Sequence, residues 1–127
     1  MPFFKRRRSV EPSAGTPQFI GEAEEPLPAH VVDGLRAACS DDARVEAAYL
    51  YWSMLALPGE EPHHTVGLVL ADAVDESELH ALTYAIYEKV AGSLGGETLD
   101  FQILTDESRA SAASAVPPIF EREPAAP

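Results

Sequence analysis

Two apolar segments separated by a short polar break constrain the fold of this chain more than any other feature. Residues 43–57 (ARVEAAYLYWSMLAL) precede the break PGEEP, and residues 63–71 (HHTVGLVLA) follow it. β-Branched and aromatic residues in both segments favour extended backbone. Both faces of the first strand, Val45–Met54, are apolar in its middle, which is typical of a strand covered on both sides. We therefore predict that Val45–Met54 pairs with Thr65–Ala71 and is the central strand of a small sheet.

Alternation along these two strands predicts which side chains share a face. Val45, Ala47, Tyr49 and Tyr51 are expected on one face of the first strand, because successive side chains of a strand point to opposite sides. In the second strand, Gly67 has no side chain to pack, which indicates the close approach of a helix or a β-bulge at that position.

One predicted helix precedes the strand pair and a second follows it. The first begins near Pro28, because proline suits a first helical turn, and it carries an apolar stripe from Val31 to Cys39. The second has Asp75 as its N-cap, and Glu78 is placed to complete a capping box. Its apolar stripe from Leu79 to Leu94 is expected to face the core.

A third strand, Thr98–Thr105, and a weaker third helix from Asp106 complete the predicted order α-β-β-α-β-α. A helical connection between the second and third strands implies a right-handed crossover between parallel strands. We expect the first strand to lie between the other two and antiparallel to both. The predicted fold class is therefore α+β, a three-stranded mixed sheet packed with helices, within one domain that spans residues 27–122.

Both ends of the chain differ in composition from this domain. Residues 1–26 and 123–127 are rich in proline, alanine and glutamate, which is typical of disordered tails, although Gln18–Ile20 suits a short extended piece. The first tail carries Phe3 and Phe4 followed by the basic run Lys5–Arg8. Each basic residue contributes about 1 kcal/mol near an anionic membrane. We therefore expect at most a weak, salt-sensitive membrane contact, and a solvated tail is the favoured interpretation.

The charge and the cysteine content narrow the classes of partner and compartment. From Ser9 onward, five basic residues face all 21 acidic residues, a net charge of −16. A body this acidic repels phosphate backbones, which argues against nucleic-acid binding. Cys39 is the single cysteine, so no internal disulfide forms and a reducing cytoplasm is expected. The sequence has neither the pattern of a signal peptide nor an apolar run long enough for an integral membrane segment.

Residues with chemical potential do not fall into any motif of a catalytic or metal site. His63 and His64 are adjacent and point to opposite sides of an extended chain, and His30 and His80 lack a partner ligand at helical spacing. Glycines at 92–96 follow a helix and precede a strand, which indicates a helix end and not a phosphate loop. No serine lies in a nucleophile-elbow sequence. We therefore predict no metal, no cofactor and no enzymatic activity.

Side chains beside the apolar stripe of the second helix indicate a surface for a protein partner. His80, Tyr84 and Tyr87 flank that stripe, and exposed aromatic patches are typical of interfaces. The alternative is that these side chains form the margin of the core, since single exposed aromatic residues are common.

Six segments of the chain carry a resemblance to a known family. They are EPLPAHVVDGLRAAC, RVEAAYLYWS, TVGLVLAD, DESELHALTYAIYEKVAG, LDFQILTD and the closing PPIFER, residues 117–122. Together they make residues 25–122 resemble the C-terminal domain of the SseB (enhanced serine sensitivity) family. The resemblance implies a bacterial cytoplasmic protein, and it implies no reaction, cofactor or catalytic residue. Family members with two domains have a longer N-terminal domain where this chain has residues 1–26, so the function of that domain is not implied.

The closing PPIFER segment admits two interpretations. In the first it is a structural clasp, in which proline fixes an extended exit, Phe120 docks on the sheet and Arg122 pairs with an acid such as Glu121. In the second, Phe120 and Arg122 form a recognition surface. The expected function is a non-enzymatic protein-interaction or regulatory domain that binds a partner protein or a second copy of itself. The alternative is a domain that senses a small ligand, such as an amino acid.

Overall fold

The computed structural model describes residues 18–23, 26–55, 62–94 and 99–122. Residues 1–17, 24 and 25 of the predicted tail 1–26, the predicted tail 123–127, most of the break at Pro58–Pro62 and the glycines Gly95 and Gly96 lie outside these ranges. The helices and strands are β1 (Gln18–Gly21), α1 (Ala29–Asp41), β2 (Val45–Leu55), β3 (His63–Leu70), α2 (Glu76–Val90), a 3₁₀ turn (Ala91–Ser93), β4 (Leu99–Ile103), α3 (Asp106–Ala115) and β5 (Pro118–Glu121). The fold is mixed α+β.

The described strands form one five-stranded, mostly antiparallel sheet in the order β1-β2-β3-β4. β5 also pairs with β2, so β1 and β5 share its outer edge, against residues 52–55 and 47–49 respectively. β1 contains the expected short extended piece Gln18–Ile20, and it lies N-terminal to the predicted domain boundary at residue 27. The predicted three strands are too few, because β1 and β5 have only four residues each and too few alternating positions to identify them as strands of the sheet.

The predicted position of β2 is also wrong in one respect. β3 lies between β2 and β4, antiparallel to β2 and parallel to β4. The expected parallel relation between β3 and β4 is confirmed, but the two strands are direct neighbours. β2 is still flanked on both sides, since β1 and β5 take the edge that β4 was expected to occupy. β2 is apolar on both faces because both faces of the sheet are covered by core side chains. Which strands lie beside it does not change this.

Helices cover both faces of the sheet. α1 and α2 pack on one face, which we call the α1–α2 face, and α3 packs on the other, the α3 face. The core of the α1–α2 face comprises Leu27, Val31, Leu35, Ala38, Cys39, Val45, Ala48, Val66, Leu68, Leu82, Ile86, Val90, Leu94 and Leu99. The smaller core of the α3 face comprises Ala47, Tyr49, Tyr51, Val69, Leu104, Ala112 and Val116.

A register shift in β2 corrects the predicted alternation. Val45 belongs to the α1–α2 face, whereas Ala47, Tyr49 and Tyr51 belong to the α3 face. The pairing with β3 shifts between Val45 and Ala47, as at a β-bulge. An extra residue at a bulge changes which face the preceding side chains reach, and simple alternation does not detect it.

Gly67 is required by a side chain that crosses β3, and not by a helix or a bulge. A Cβ at this position would lie 2.8 Å from the ring and the hydroxyl of Tyr51, and 2.9 Å from Leu104. Tyr51 passes over the strand and donates its hydroxyl hydrogen to Gln102 Oε1 at 2.7 Å. Burial raises the pKa of Tyr51, so the phenol remains a neutral donor. The glycine therefore lets β2 bond to β4 across the intervening strand.

The helix starts follow the predicted capping chemistry in part. Asp75 Oδ1 accepts the backbone N–H of Glu78 at 2.7 Å, which confirms the predicted N-cap. Glu78 extends instead toward Arg44, with 3.8 Å between Oε2 and Nη1, so the predicted return bond of a capping box is wrong. α3 begins at Asp106 as predicted, and Thr105 forms a reciprocal capping box with Ser108.

Candidate functional site

The five predicted surface residues lie in two separate places. Phe120 and Arg122 belong to β5 and its end, on the outer edge of β2. His80, Tyr84 and Tyr87 belong to α2. α1 contacts both α2 and β5 and lies between them. The structure therefore does not gather these residues into one surface, and each group needs its own account.

Arg122 holds the end of α1. Its Nη2 donates to the backbone carbonyls of Cys39, Ser40 and Asp42 at 3.3, 3.3 and 3.0 Å. Its Nε donates to the carbonyl of Val45 at 3.1 Å. The last carbonyls of a helix have no partner within the helix, and a cation there is favoured by the helix dipole. Arg122 thus supplies a C-terminal cap from a segment distant in sequence.

Phe120 and the backbone complete this contact. The guanidinium carbon of Arg122 lies 5.1 Å from the centre of the Phe120 ring, within cation–π range. The backbone N–H of Arg122 donates to the backbone carbonyl of Glu46 at 2.8 Å. Glu121, the acid suggested as a partner of Arg122, points instead toward Arg109, with 3.9 Å between Oε2 and Nη2. We call Phe120 and Arg122, with the carbonyls they hold, the β5 clasp.

The turn after α1 is stabilised beside the clasp. Arg44 donates from Nε and Nη2 to Asp42 at 2.9 and 2.7 Å. This hydrogen bonding lowers the pKa of Asp42 below its ordinary value. Cys39, one turn earlier, is fully buried, and burial raises the pKa of its thiol to about 11. A thiol with that pKa stays protonated and unreactive at neutral pH.

His80, Tyr84 and Tyr87 lie on the flank of α2 that points away from α1. The opposite flank contacts α1: Lys89 lies 3.4 Å from Asp41, and a Cβ on Gly34 would lie 2.9 Å from Val90. Because α1 also contacts β2 and β5, the flank with the two tyrosines lies on the β4 side of the sheet.

The exposure of these aromatic side chains differs. Tyr84 is 38% exposed and is the one exposed large apolar residue of the part of the chain that the structure describes. Its hydroxyl donates to Glu88 Oε2 at 2.9 Å, and this bond raises the pKa of the phenol. Tyr87 is half-buried and packs against the core of the α1–α2 face. Tyr87 therefore lies at the margin of the core, whereas Tyr84 is exposed, and its contact with a partner stays a prediction.

β4 presents an open edge beneath that flank. Among the described strands, β4 pairs with β3 alone. The backbone N–H of Leu104 donates to the backbone carbonyl of Leu68 in β3 at 2.8 Å, so this N–H points toward β3. Since successive backbone groups of a strand point to opposite sides, those of Leu99, Phe101 and Ile103 point away from β3. We call this outer edge of β4, together with His80, Tyr84 and Tyr87, the edge surface.

A polar cluster lies on the α3 face where β2, β3 and β4 run side by side. Ser53 is opposite His63 in the register, and Thr65 is opposite Asp100. His63 Nε2 lies 2.6 Å from Asp100 Oδ2, and the Thr65 hydroxyl donates to Ser53 Oγ at 3.2 Å. Ser53, Thr65 and Asp100 are buried. The second oxygen of Asp100, Oδ1, is buried without a hydrogen-bond partner.

The sequence reasoning missed both the edge surface and the polar cluster. Each depends on the strand order and register, which alternation within a single strand does not reveal. The available signal was the recurrence of polar residues at alternate positions of otherwise apolar strands, 63 and 65 in one and 100 and 102 in the other. Chemically, the cluster combines hydroxyl, imidazole and carboxylate groups within hydrogen-bonding distance of one another.

Within the described ranges of the chain, no three His, Cys, Asp or Glu side chains lie close enough together to hold a metal ion. Among the helices of the same ranges, none has both the length and the apolar character needed to cross a membrane.

No family model, no curated protein and no solved structure matches this chain. The resemblance of residues 25–122 to the SseB C-terminal domain therefore stays a prediction.

Proposed function

We propose that this chain is a non-enzymatic protein-interaction domain of the cytoplasm, of the kind that its resemblance to the SseB C-terminal domain implies, and that the edge surface is its contact site. The observation that carries the proposal is the orientation of the β4 backbone. Leu99, Phe101 and Ile103 direct their N–H and C=O groups away from β3, on the side where no described strand pairs with them.

An edge of this kind binds an extended segment by strand addition. Backbone hydrogen bonds then supply affinity, and neighbouring side chains supply specificity. Natural sheets often protect an open edge with lysine, proline, a bulge or an inward-pointing charge. β4, with the sequence LDFQI, has no lysine or proline, and its one charged side chain, Asp100, is buried and paired with His63. Tyr84 and Tyr87 on α2 add aromatic surface beside the edge.

The β5 clasp is not part of the proposed contact site. The guanidinium of Arg122 is directed at the carbonyls of α1 and the turn after it, and Phe120 packs on the core. A partner that recruited Arg122 would have to release the end of α1. This cost favours the edge surface over the alternative recognition surface around Phe120 and Arg122.

Hydrogen exchange tests the proposal directly. The full chain is compared alone at low concentration and in cytosolic extract of its host, with exchange read by mass spectrometry for peptides across the sequence. We expect slower exchange in the peptide that contains residues 99–103 when extract is present. Ile103→Pro removes an outward N–H and should abolish this protection, whereas Ile103→Val keeps the N–H and should retain it. Protection confined to other segments would rule out the edge surface.

A second candidate function, the sensing of a small polar ligand such as an amino acid, is favoured by the polar cluster. Its hydroxyls and its His63–Asp100 pair are complementary to ammonium and carboxylate groups. Thermal unfolding with millimolar free amino acids, serine among them, is the test, because a ligand that binds only the folded state raises the melting temperature. A shift that Ser53→Ala abolishes would support this function. No shift with any amino acid would remove it.

A further inference from the structure

We propose that the occupant of the β4 edge is β4 of a second copy of this chain, paired antiparallel about a twofold axis at Phe101. The proposal rests on the proposed function, since it identifies the partner of the same edge surface. Two five-stranded sheets would join into one continuous sheet across the axis. The contact is isologous, because the same residues of each copy meet.

The backbone geometry is compatible with this register. Centring the pair on Phe101 places Leu99 opposite Ile103 of the second copy and Phe101 opposite its own equivalent. Residues opposite each other in an antiparallel pair exchange both hydrogen bonds only if their N–H and C=O groups face the partner strand. Leu99, Phe101 and Ile103 meet this condition, because their groups point away from β3. A register centred on Asp100 would keep the same groups facing the partner, but it would place Asp100 opposite its own equivalent, a like-charge pair that destabilises a sheet. A register centred on Gln102 would pair only residues 101–103 of β4 with each other.

The side-chain pattern of β4 fits the same register. LDFQI alternates apolar and polar residues and has the same pattern in both directions. Apolar side chains therefore meet apolar side chains on the α1–α2 face, and Phe101 lies beside its equivalent. On the α3 face, Asp100 lies opposite Gln102 of the second copy. No like charges lie directly opposite each other, which would destabilise the pair.

The helices above the edge are arranged consistently with the pair. The flank of α2 with His80, Tyr84 and Tyr87 lies on the β4 side, so the two copies bring these flanks toward the axis. The exposed side chain of Tyr84 would then lie near the second copy. Because each chain has a net charge of −12, repulsion between the copies should be screened by salt, and dimerisation should strengthen as ionic strength rises.

Cysteine cross-linking tests the register. Phe101→Cys places two thiols opposite each other on the axis, within the usual Cα separation of a disulfide. We expect this variant to form an oxidised dimer at least about tenfold faster than Ser111→Cys, an exposed control on α3. Cys39 contributes no background, because it is buried and its pKa is raised to about 11. Cross-linking no faster than in the control would overturn the register.

Sedimentation equilibrium of the full chain tests the dimer itself. The wild-type mass should rise toward twice the monomer mass with concentration. Ile103→Pro should weaken the dimer by about tenfold or more, because it removes a hydrogen bond from each side of the axis, whereas Ile103→Val should not. Monomers at every concentration would overturn the inference. If the chain stayed monomeric but residues 99–103 were still protected from hydrogen exchange in extract, another protein would occupy the edge and the proposed function would stand. If the chain stayed monomeric and these residues were not protected, both the dimer and the proposed function would be overturned.

Discussion

The two edges of this sheet are finished in different ways. On the outer side of β2, β1 and β5 add strands, and Arg122 binds the last carbonyls of α1. On the other side, β4 ends the described sheet without a further strand. The edge that carries the most distinctive sequence motif, PPIFER, is covered by β5 and stabilises the end of α1. The edge at β4 carries no motif, and its outward backbone N–H and C=O groups have no described strand beside them. A distinctive motif can therefore report on stability and not on recognition.

The largest expected effect is at the closed edge. Arg122→Met keeps the aliphatic stem but removes the donors that cap α1, and we expect a loss of about 3 kcal/mol in unfolding free energy. Urea denaturation followed by circular dichroism measures it. Arg122→Lys keeps the charge without the planar fork and should recover only part of the loss. A change below about 0.5 kcal/mol in Arg122→Met would show that the clasp does not stabilise the fold.

The next largest effect is expected between the two edges, at Gly67. Gly67→Ala places a methyl group within 3 Å of Tyr51 and Leu104, which should displace the bond from Tyr51 to Gln102. Overpacking of this kind costs about 2 kcal/mol. Gly92→Ala is the matched control, because a Cβ there meets nothing within 4 Å. Equal melting temperatures for the two variants would contradict the packing described for Tyr51.

A smaller effect on stability is expected when the pH is lowered, because Asp42 lies in the turn beside the clasp. The Arg44 side chain holds the pKa of Asp42 below its ordinary value near 3.8. A lowered pKa in the folded state stabilises the fold above the unfolded value, and this contribution is lost as pH falls through the folded pKa. Stability measured from pH 6 to pH 2 should therefore fall less steeply in Asp42→Asn than in the wild type. Parallel profiles would show that this pair contributes nothing.

The smallest effect on stability is expected on the open side. Tyr84→Ala removes an exposed side chain and should change the unfolding free energy by less than about 0.5 kcal/mol. If the edge surface binds a second copy, the same change should weaken dimerisation in sedimentation experiments. The comparison between the edges would fail if Tyr84→Ala destabilised the fold as much as Arg122→Met.

Parts of this architecture were predictable because they depend on neighbouring residues. The apolar stripes of α1 and α2, the N-cap at Asp75 and the start of α3 at Asp106 all follow from side chains within a few positions of one another. The mixed α+β class also followed, since the strands and helices were each detectable alone.

The candidate site was predictable only in part. His80, Tyr84 and Tyr87 were identified because they flank a helical stripe, which is a local pattern. The open edge of β4 and the polar cluster of Ser53, His63, Thr65 and Asp100 were not. Each of them joins residues from different strands, and a single sequence does not show directly which strands are neighbours in the sheet.

The sequence by itself determined the local structures and the division of apolar from polar positions, because capping, periodicity and β-propensity act over a few residues. Only the tertiary structure decided that β3 lies between β2 and β4, that β1 and β5 close one edge, and that β4 ends the described sheet at the other. Strand order depends on the burial of whole faces and on the crossover through α2, which are properties of the assembled sheet. The role of Arg122 was decided in the same way, since its backbone partners at Cys39, Ser40 and Asp42 lie far away in the chain.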